Sequence, residues 1–573
     1  MSDTILKDPV YGYVKIENEI VEIIDTPNFQ RLRDIVQTSY APLFHNSIHS
    51  RFSHSLGVYH LGRMAIDSLL KNFKKKHAEN ELSKEQEKQI RDVFLKACLL
   101  HDVGHSPFSH TGEYFYLDEK VNNDDISSPK LIEDLKKLLN NEKFSGDIGK
   151  QEFCDPKPHE YMSAYLGLKN YCTQLQTEEA SFFVRCIIGL QYYDCTDIEK
   201  QLKNACIELL NSSTIDVDKL DYLIRDTYMT GFNSVNIDYK RLLAGISINE
   251  LGEGAKNNII IERNNAGTNK TTRRHIFVAF KKSAISVLEN VILANDLERK
   301  WIQAHPVVLY GAFLLRVIIQ NINKKIIEKG SKNKINTEEN TSSLFSYDSL
   351  TVEGIDLMKG IHMRLLSDSD ILCLAKNHFY DKWVEEYFSR NEWRHPLWKS
   401  QAEFQLLINK NNIENLQNVI SDIEKDLLSG EYGENCINEK LLKAYKSQLK
   451  AAQNTKMTCG HNSISAVSKK LESKIKFLNF LKDYCKKNKN NFDFVVINTK
   501  QFTSGLNKDD FKNITIQFDS LGKSCCLYEA LPILKSDIME ENYFYMFNKV
   551  GKGNSAFDVN NFCKQLVSQS NFL

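Results

Sequence analysis

Residues 99–110 read Leu99-Leu100-His101-Asp102-Val103-Gly104-His105-Ser106-Pro107-Phe108-Ser109-His110, with three histidines and an aspartate inside ten residues behind an apolar pair. Imidazole nitrogens and a carboxylate at that density suit borderline divalent metals such as Mn, Fe, Zn, Co or Ni. Gly104 and Pro107 are expected to turn the backbone sharply, bringing His105 and His110 into one space with the His-Asp pair. The bland alternative is a surface loop that happens to be rich in histidine.

The segment leading into this stretch reads as a buried helix. Ser83 and Gln86 have capping-box spacing, and Ile90, Val93, Phe94, Ala97 and Leu100 recur at the helical period. A second segment, Arg51-Phe52-Ser53-His54-Ser55-Leu56-Gly57-Val58, places His54 on an apolar stripe with Val58, Leu61 and Ala65. An imidazole there needs a partner, as a satisfied core histidine or as a ligand. Arg51 is either a salt-bridge partner or a guanidinium aimed at phosphate. In a third segment, Ile215 to Asp226, a helix would put Asp218, Tyr222 and Asp226 on one face with Lys219 at its edge. A solvated charged face is the competing reading, weakened by Val217, Leu220, Leu223 and Ile224.

Around these segments the chain of 573 residues is too long for one core. Residues 1–325 are expected to be mainly helical, 326–345 a polar linker or mobile loop, and 346–487 a helical extension. Residues 488–573 should form a small α+β lobe, with strands at 492–497, 514–518, 525–531 and 543–547. Lys plus Arg and Asp plus Glu both number 74, a balance that does not indicate a dedicated nucleic-acid binder. The 13 cysteines are scattered without a C-x-x-C pair and read as reduced, buried thiols. Met1-Ser2-Asp3-Thr4 lacks a secretory pattern, and no run is expected to reach the roughly 20 apolar residues that cross a bilayer. A soluble, cytoplasmic chain with no membrane partner is the expectation.

Taken in order, these segments resemble a known family. Lys7-Asp8-Pro9-Val10-Tyr11-Gly12, Ile24-Asp25-Thr26-Pro27-Asn28-Phe29-Gln30-Arg31-Leu32-Arg33, His49 to Val58, the His101 stretch and Asp216 to Asp226 are similar to the HD-domain deoxynucleoside triphosphate triphosphohydrolases. These include the bacterial dGTPase-like enzymes and the sterile-alpha-motif-containing member. The resemblance implies a mainly α fold whose catalytic core is an HD domain. It implies a divalent metal (Mn, Fe, Mg, Zn, Co or Ni) held by His54, His101, Asp102 and Asp218, and attack of water on the α-phosphorus to give nucleoside and triphosphate. His105 and His110 would position or deprotonate the water, and His159 would protonate the leaving 5′-oxygen. Arg51 and Lys219 would hold phosphate, Gln37 and Asp226 the sugar 3′-hydroxyl, and Tyr222 would exclude a 2′-hydroxyl. Asp25, Gln30 and Arg33 match an activator-nucleotide site, or else an ordinary salt-bridged helix start.

The resemblance also implies a homo-oligomer, tetramer or hexamer, and a role in controlling deoxynucleotides, including starving a phage or virus. The chain departs from the family at Asn295, Arg299, Gln303 and His305, where relatives contact triphosphate and base, and at Thr4, where relatives use lysine. Two other readings stay open: an HD phosphodiesterase, nuclease or nucleotidase, and a nucleotide sensor that does not turn over.

Overall fold

The computed structural model describes residues 4–39, 41–76, 82–116, 129–148, 156–193, 197–232, 235–250, 276–332, 344–358, 360–408, 414–459, 462–499, 510–512, 514–518, 523–531, 534, 543–549 and 557–570. Helices dominate, as their apolar periodicity requires. Two compact units divide the chain: Met1–Glu298 with Asn336–Ile371 and Gly505–Ile538, and Arg299–Ile335 with Leu372–Ser504 and Met539–Leu573.

These units do not follow the consecutive boundaries expected from composition, and strand pairing is the reason. In the first unit β1 (Thr4–Asp8) and β2 (Gly12–Ile16) form an antiparallel hairpin, turned at Gly12 with φ +80°. β3 (Ile246–Glu250) pairs antiparallel with β4 (Ile276–Lys281), and β5 (Ile355–Met358) with β6 (Ile361–Met363). In the second unit β7 (His395–Pro396) and β8 (Phe494–Asn498) flank a later strand. β9 (Thr515–Phe518) returns to the first unit and pairs parallel with β4, while β10 (Lys523–Cys526) pairs antiparallel with β9. β11 (Phe544–Asn548) is the strand between β7 and β8. The expected C-terminal strands therefore serve two sheets. Gln517 reaches across β4 to β3, accepting from Ser247 Oγ at 2.8 Å and donating to the Ile248 carbonyl at 2.7 Å.

Three expectations are corrected. The strand expected over 525–531 ends at Cys526, and Leu527–Ala530 turns helical, since Leu-Tyr-Glu-Ala carries no β-branched residue. The helix Pro306–Lys332 runs into the expected linker, of which 333–343 lie outside the described residues. Its Pro306–Ile326 stretch is also long and apolar enough to cross a membrane, with mean hydropathy 1.3, contrary to expectation; 72% of that window is buried in the protein, as in a core helix.

In the second unit, burial of Glu424, which is 3% exposed on the Glu414–Ser429 helix, pushes its carboxyl up to about 8 against the Asn498 N–H and Arg316. A carboxyl raised on folding stabilises fully below its ordinary value of 4.5 and loses that contribution as pH rises through about 8. Glu424→Gln is therefore expected to gain on the native protein, by a few kcal/mol at most, between pH 5 and 9. Urea midpoints at both pH values check this, and parallel curves would refute it.

Candidate metal and phosphohydrolase site

The site begins with the helix Lys84–Leu100. Ser83 Oγ accepts from Gln86 N–H at 3.1 Å and Gln86 Oε1 accepts from Ser83 N–H at 2.9 Å, closing the expected capping box. The apolar face is buried and delivers His101 to the helix end. His101 Nδ1 donates to the Cys98 carbonyl at 2.9 Å, which points Nε2 inward. On the helix Arg51–Lys76, His54 Nδ1 donates to Asp221 Oδ2 at 2.7 Å, with the same effect. A carbonyl and a carboxylate can only accept, so both Nε2 atoms carry lone pairs.

Those Nε2 atoms lie 3.3 Å apart. Asp218 Oδ1 sits 2.9 Å from His54 Nε2 and 3.6 Å from His101 Nε2, and Asp102 Oδ2 is 3.5 Å from each. Donors bonded at about 2.1 Å to one ion lie about 3.0–3.4 Å apart, so the spacing fits a single divalent metal. Two lone pairs and two carboxylates in this arrangement repel one another unless a cation lies among them. Without a cation the carboxylates draw a proton onto His54 Nε2 in its place: burial pushes this imidazole down, but hydrogen bonds to Asp218 and Asp221 outweigh this and hold it up at about 10, and a metal binding there would displace that proton. Burial pushes Asp221 up, yet Arg225 and His54 hold it down at about 2. The four expected ligands thus come together, each histidine fixed by a partner behind it.

Beside them stand the other three histidines. His105 and His159 stack with centroids 4.1 Å apart, and His110 meets both edge-on at 5.1 and 5.3 Å. Glu113, which the sequence reading missed, joins two of them: its Oε1 accepts from His110 Nδ1 at 3.0 Å and its Oε2 accepts from His159 Nδ1. Burial raises Glu113, but His159 and His110 more than offset it and keep the carboxylate ionised. His105 lies 3.5 Å from Asp102 Oδ1, and burial, then Arg51, keeps it neutral.

The backbone turns where Gly104 and Pro107 were expected to bend it: His105 N–H bonds the Asp102 carbonyl at 3.0 Å across Val103-Gly104, and Ser109 N–H bonds the Ser106 carbonyl at 3.1 Å across Pro107-Phe108. Phe108 and Ser109 take left-handed φ values of 58° and 52°, which cost energy in residues with a β-carbon. Gly104 also serves close approach: a β-carbon there would lie 2.3 Å from the Ser163 nitrogen. The strained turn is held by Asp368, whose oxygens accept from Phe108 N–H at 2.6 Å and Val36 N–H at 3.0 Å. Asp368→Ala is expected to cost about 2–4 kcal/mol in urea unfolding, because two buried N–H groups lose their acceptor. A loss below about 0.5 kcal/mol, within the range of an ordinary surface change, would show that the turn does not depend on it.

The remaining expected residues are placed as follows. Arg51 is buried and bonded to Asp102 Oδ2 at 2.6 Å, Ser109 Oγ at 2.9 Å and the Gln37 carbonyl at 3.3 Å, so it holds the Asp102 carboxylate in place. Gln37 is buried against this group. Lys219 Nζ reaches Asp216 at 2.6 Å and the Ser212 carbonyl at 2.5 Å. Tyr222 Oη lies 3.5 Å from Asn295 Oδ1. Asp226 pairs at 2.7 Å with buried His49, whose role the sequence reading did not draw out. Arg299, Gln303 and His305 belong to the second unit. Of the expected activator group, Asp25 is exposed at a helix end, Gln30 donates to the Ile24 carbonyl at 2.8 Å, and Arg33 donates to Gln30 Oε1 at 2.6 Å while lying over the Phe52 ring.

The chain is similar to known proteins over this region. The HD domain family model matches residues 51–162. An uncharacterized protein, YwfO of Bacillus subtilis, is 32% identical over 245 residues, 42% of this chain and 43% of that one. The deoxynucleoside triphosphate triphosphohydrolase SAMHD1 homolog of Dictyostelium discoideum is 32% identical over 248 residues, 42% and 39% of the two chains. The human deoxynucleoside triphosphate triphosphohydrolase SAMHD1 is 28% identical over 253 residues, 42% and 35%. The chain spans less than half the length of these relatives. Residues 51–162 therefore match the HD domain model, and the chain is similar to deoxynucleoside triphosphate triphosphohydrolases over 42% of its length.

Proposed function

We propose that the protein hydrolyses deoxynucleoside triphosphates to deoxynucleoside and inorganic triphosphate, as an oligomer in the cytoplasm and under nucleotide control. The observation that carries this reading is the cluster of His54, His101 and Asp218, with Asp102 3.5 Å from each histidine, standing against the His105–His110–His159 group. A divalent ion held by the first group supplies a Lewis acid for a phosphoryl oxygen and a lowered pKa for water. Neutral His105 accepts a proton from the attacking water. His159, fixed through Nδ1 by Glu113, presents Nε2 to the leaving 5′-oxygen and protonates it. Arg51 keeps Asp102 in place, and Lys219, Gln37, Tyr222 and Asp226 contribute the phosphate and sugar contacts.

The test incubates the protein with the four deoxynucleoside triphosphates, singly and mixed, with Mn or Mg, and separates the products. Nucleoside and intact triphosphate are expected. Cleavage only of cyclic nucleotides, monophosphates or nucleic acid overturns the substrate. One observation favours such a second reading, a two-metal phosphodiesterase: ligand atoms of His105, His110 and His159 lie within 4.8 Å of one another. Two metals per chain would support it, and one would not.

A further inference from the structure

The β1–β2 hairpin lies outside the HD domain at residues 51–162, yet it is bonded to the metal cluster by buried charges. Asp8, at the end of β1, is 6% exposed; its Oδ1 accepts from the Val10 and Tyr11 N–H groups at 2.8 and 3.0 Å. Its other oxygen accepts from Arg225 Nη1 at 3.0 Å. Arg225, fully buried, donates through Nε and Nη2 to the two oxygens of Asp221 at 2.9 and 3.1 Å. Tyr11 Oη donates to Asp221 Oδ1 at 2.7 Å. Asp221 Oδ2 accepts from His54 Nδ1.

Two carboxylates share one guanidinium, so one negative charge is left over, and it lies against the His54 N–H. A carboxylate in that position fixes the tautomer and ring angle of a metal-binding imidazole and strengthens it as a ligand. Gly57 lets this pair pack directly against the His54 helix: a β-carbon there would fall 1.8 Å from Asp221 Oδ1 and 2.5 Å from Arg225 Nη2.

We propose that the β1–β2 hairpin is part of the metal centre, with Asp8 and Tyr11 acting as positioning residues that fix the orientation and charge environment of His54 through Arg225 and Asp221. This rests on the reading of His54 as a metal ligand. The hairpin touches neither metal nor substrate; it sets how tightly the ion is held.

The test is Mn affinity by calorimetry, without nucleotide, on the full chain. Tyr11→Phe removes one hydroxyl, and Asp8→Asn keeps an acceptor for the turn while removing the charge facing Arg225. Each is expected to weaken Mn binding about tenfold. Tyr13→Phe, on the same hairpin but 72% exposed, is expected to bind as the native protein does. Urea midpoints are measured alongside. Variants that lose stability but bind Mn within twofold of native make the hairpin merely structural and overturn the proposal. If Asp8→Asn fails to fold, Tyr11→Phe decides alone. A native chain that binds no Mn overturns the metal reading itself, and this proposal with it.

Discussion

Asp218→Ala is expected to abolish metal binding and hydrolysis together while leaving the chain folded. Asp218 supplies the oxygen nearest to His54 Nε2, at 2.9 Å, and its side chain is 40% exposed. Removing it deletes a ligand without opening the core. Metal catalysis of phosphoryl transfer contributes several kcal/mol, so a fall in kcat/KM of at least about a thousandfold is expected. Asp102→Ala would be a poorer test. Its carboxylate also neutralises buried Arg51 at 2.6 Å, and stranding such a charge costs about 3–5 kcal/mol. Product chromatography, Mn titration and a urea curve on the same preparation distinguish the two variants. Undiminished turnover in Asp218→Ala would remove it from the site.

His159→Asn is the second large effect, and it should separate the proton machinery from the metal. His159 is bonded to Glu113 and stacked on His105, and it makes none of the contacts within the four-donor cluster. Mn affinity should stay within about twofold of native, while kcat falls about 10²- to 10⁴-fold, the usual cost of losing a positioned general acid. Glu113→Gln should give a smaller fall, because the ring remains but loses its fixed orientation. A His159→Asn protein that also loses Mn would favour the two-metal reading.

The clustering of these side chains was legible because it is written in short segments. The Ser83 cap, the apolar stripe from Ile90 to Leu100 and the His-Asp pair at its end are local signals, and the helix carries them into place. What supports the site was less legible. Asp368 reaches the 108 turn from 260 residues away, a pairing that no periodicity records. Asp221 and Arg225 were not singled out on their helix, and only their full burial, with bonds to Tyr11 and Asp8, gives them a role. Glu113 sat three residues from His110, and that spacing was the overlooked clue. β3 and β4 were absorbed into a helical reading, although Ile246-Ser247-Ile248 alternates and Ile276 to Phe280 is rich in β-branched and aromatic residues.

The parallel pairing of β4 with β9 also bears on how the protein is made. The HD domain's own residues leave the ribosome early, but the sheet beside them waits for a strand more than 230 residues further along. Until Thr515 to Phe518 emerge, β4 presents an open edge of backbone donors and acceptors, a template for pairing with another nascent chain. Synthesis runs at about 5–20 residues per second, so that edge stays uncovered for about ten seconds or more. Fragments ending before residue 515, however faithfully they keep His54, His101, Asp102 and Asp218, would carry that sticky edge permanently and be prone to aggregate.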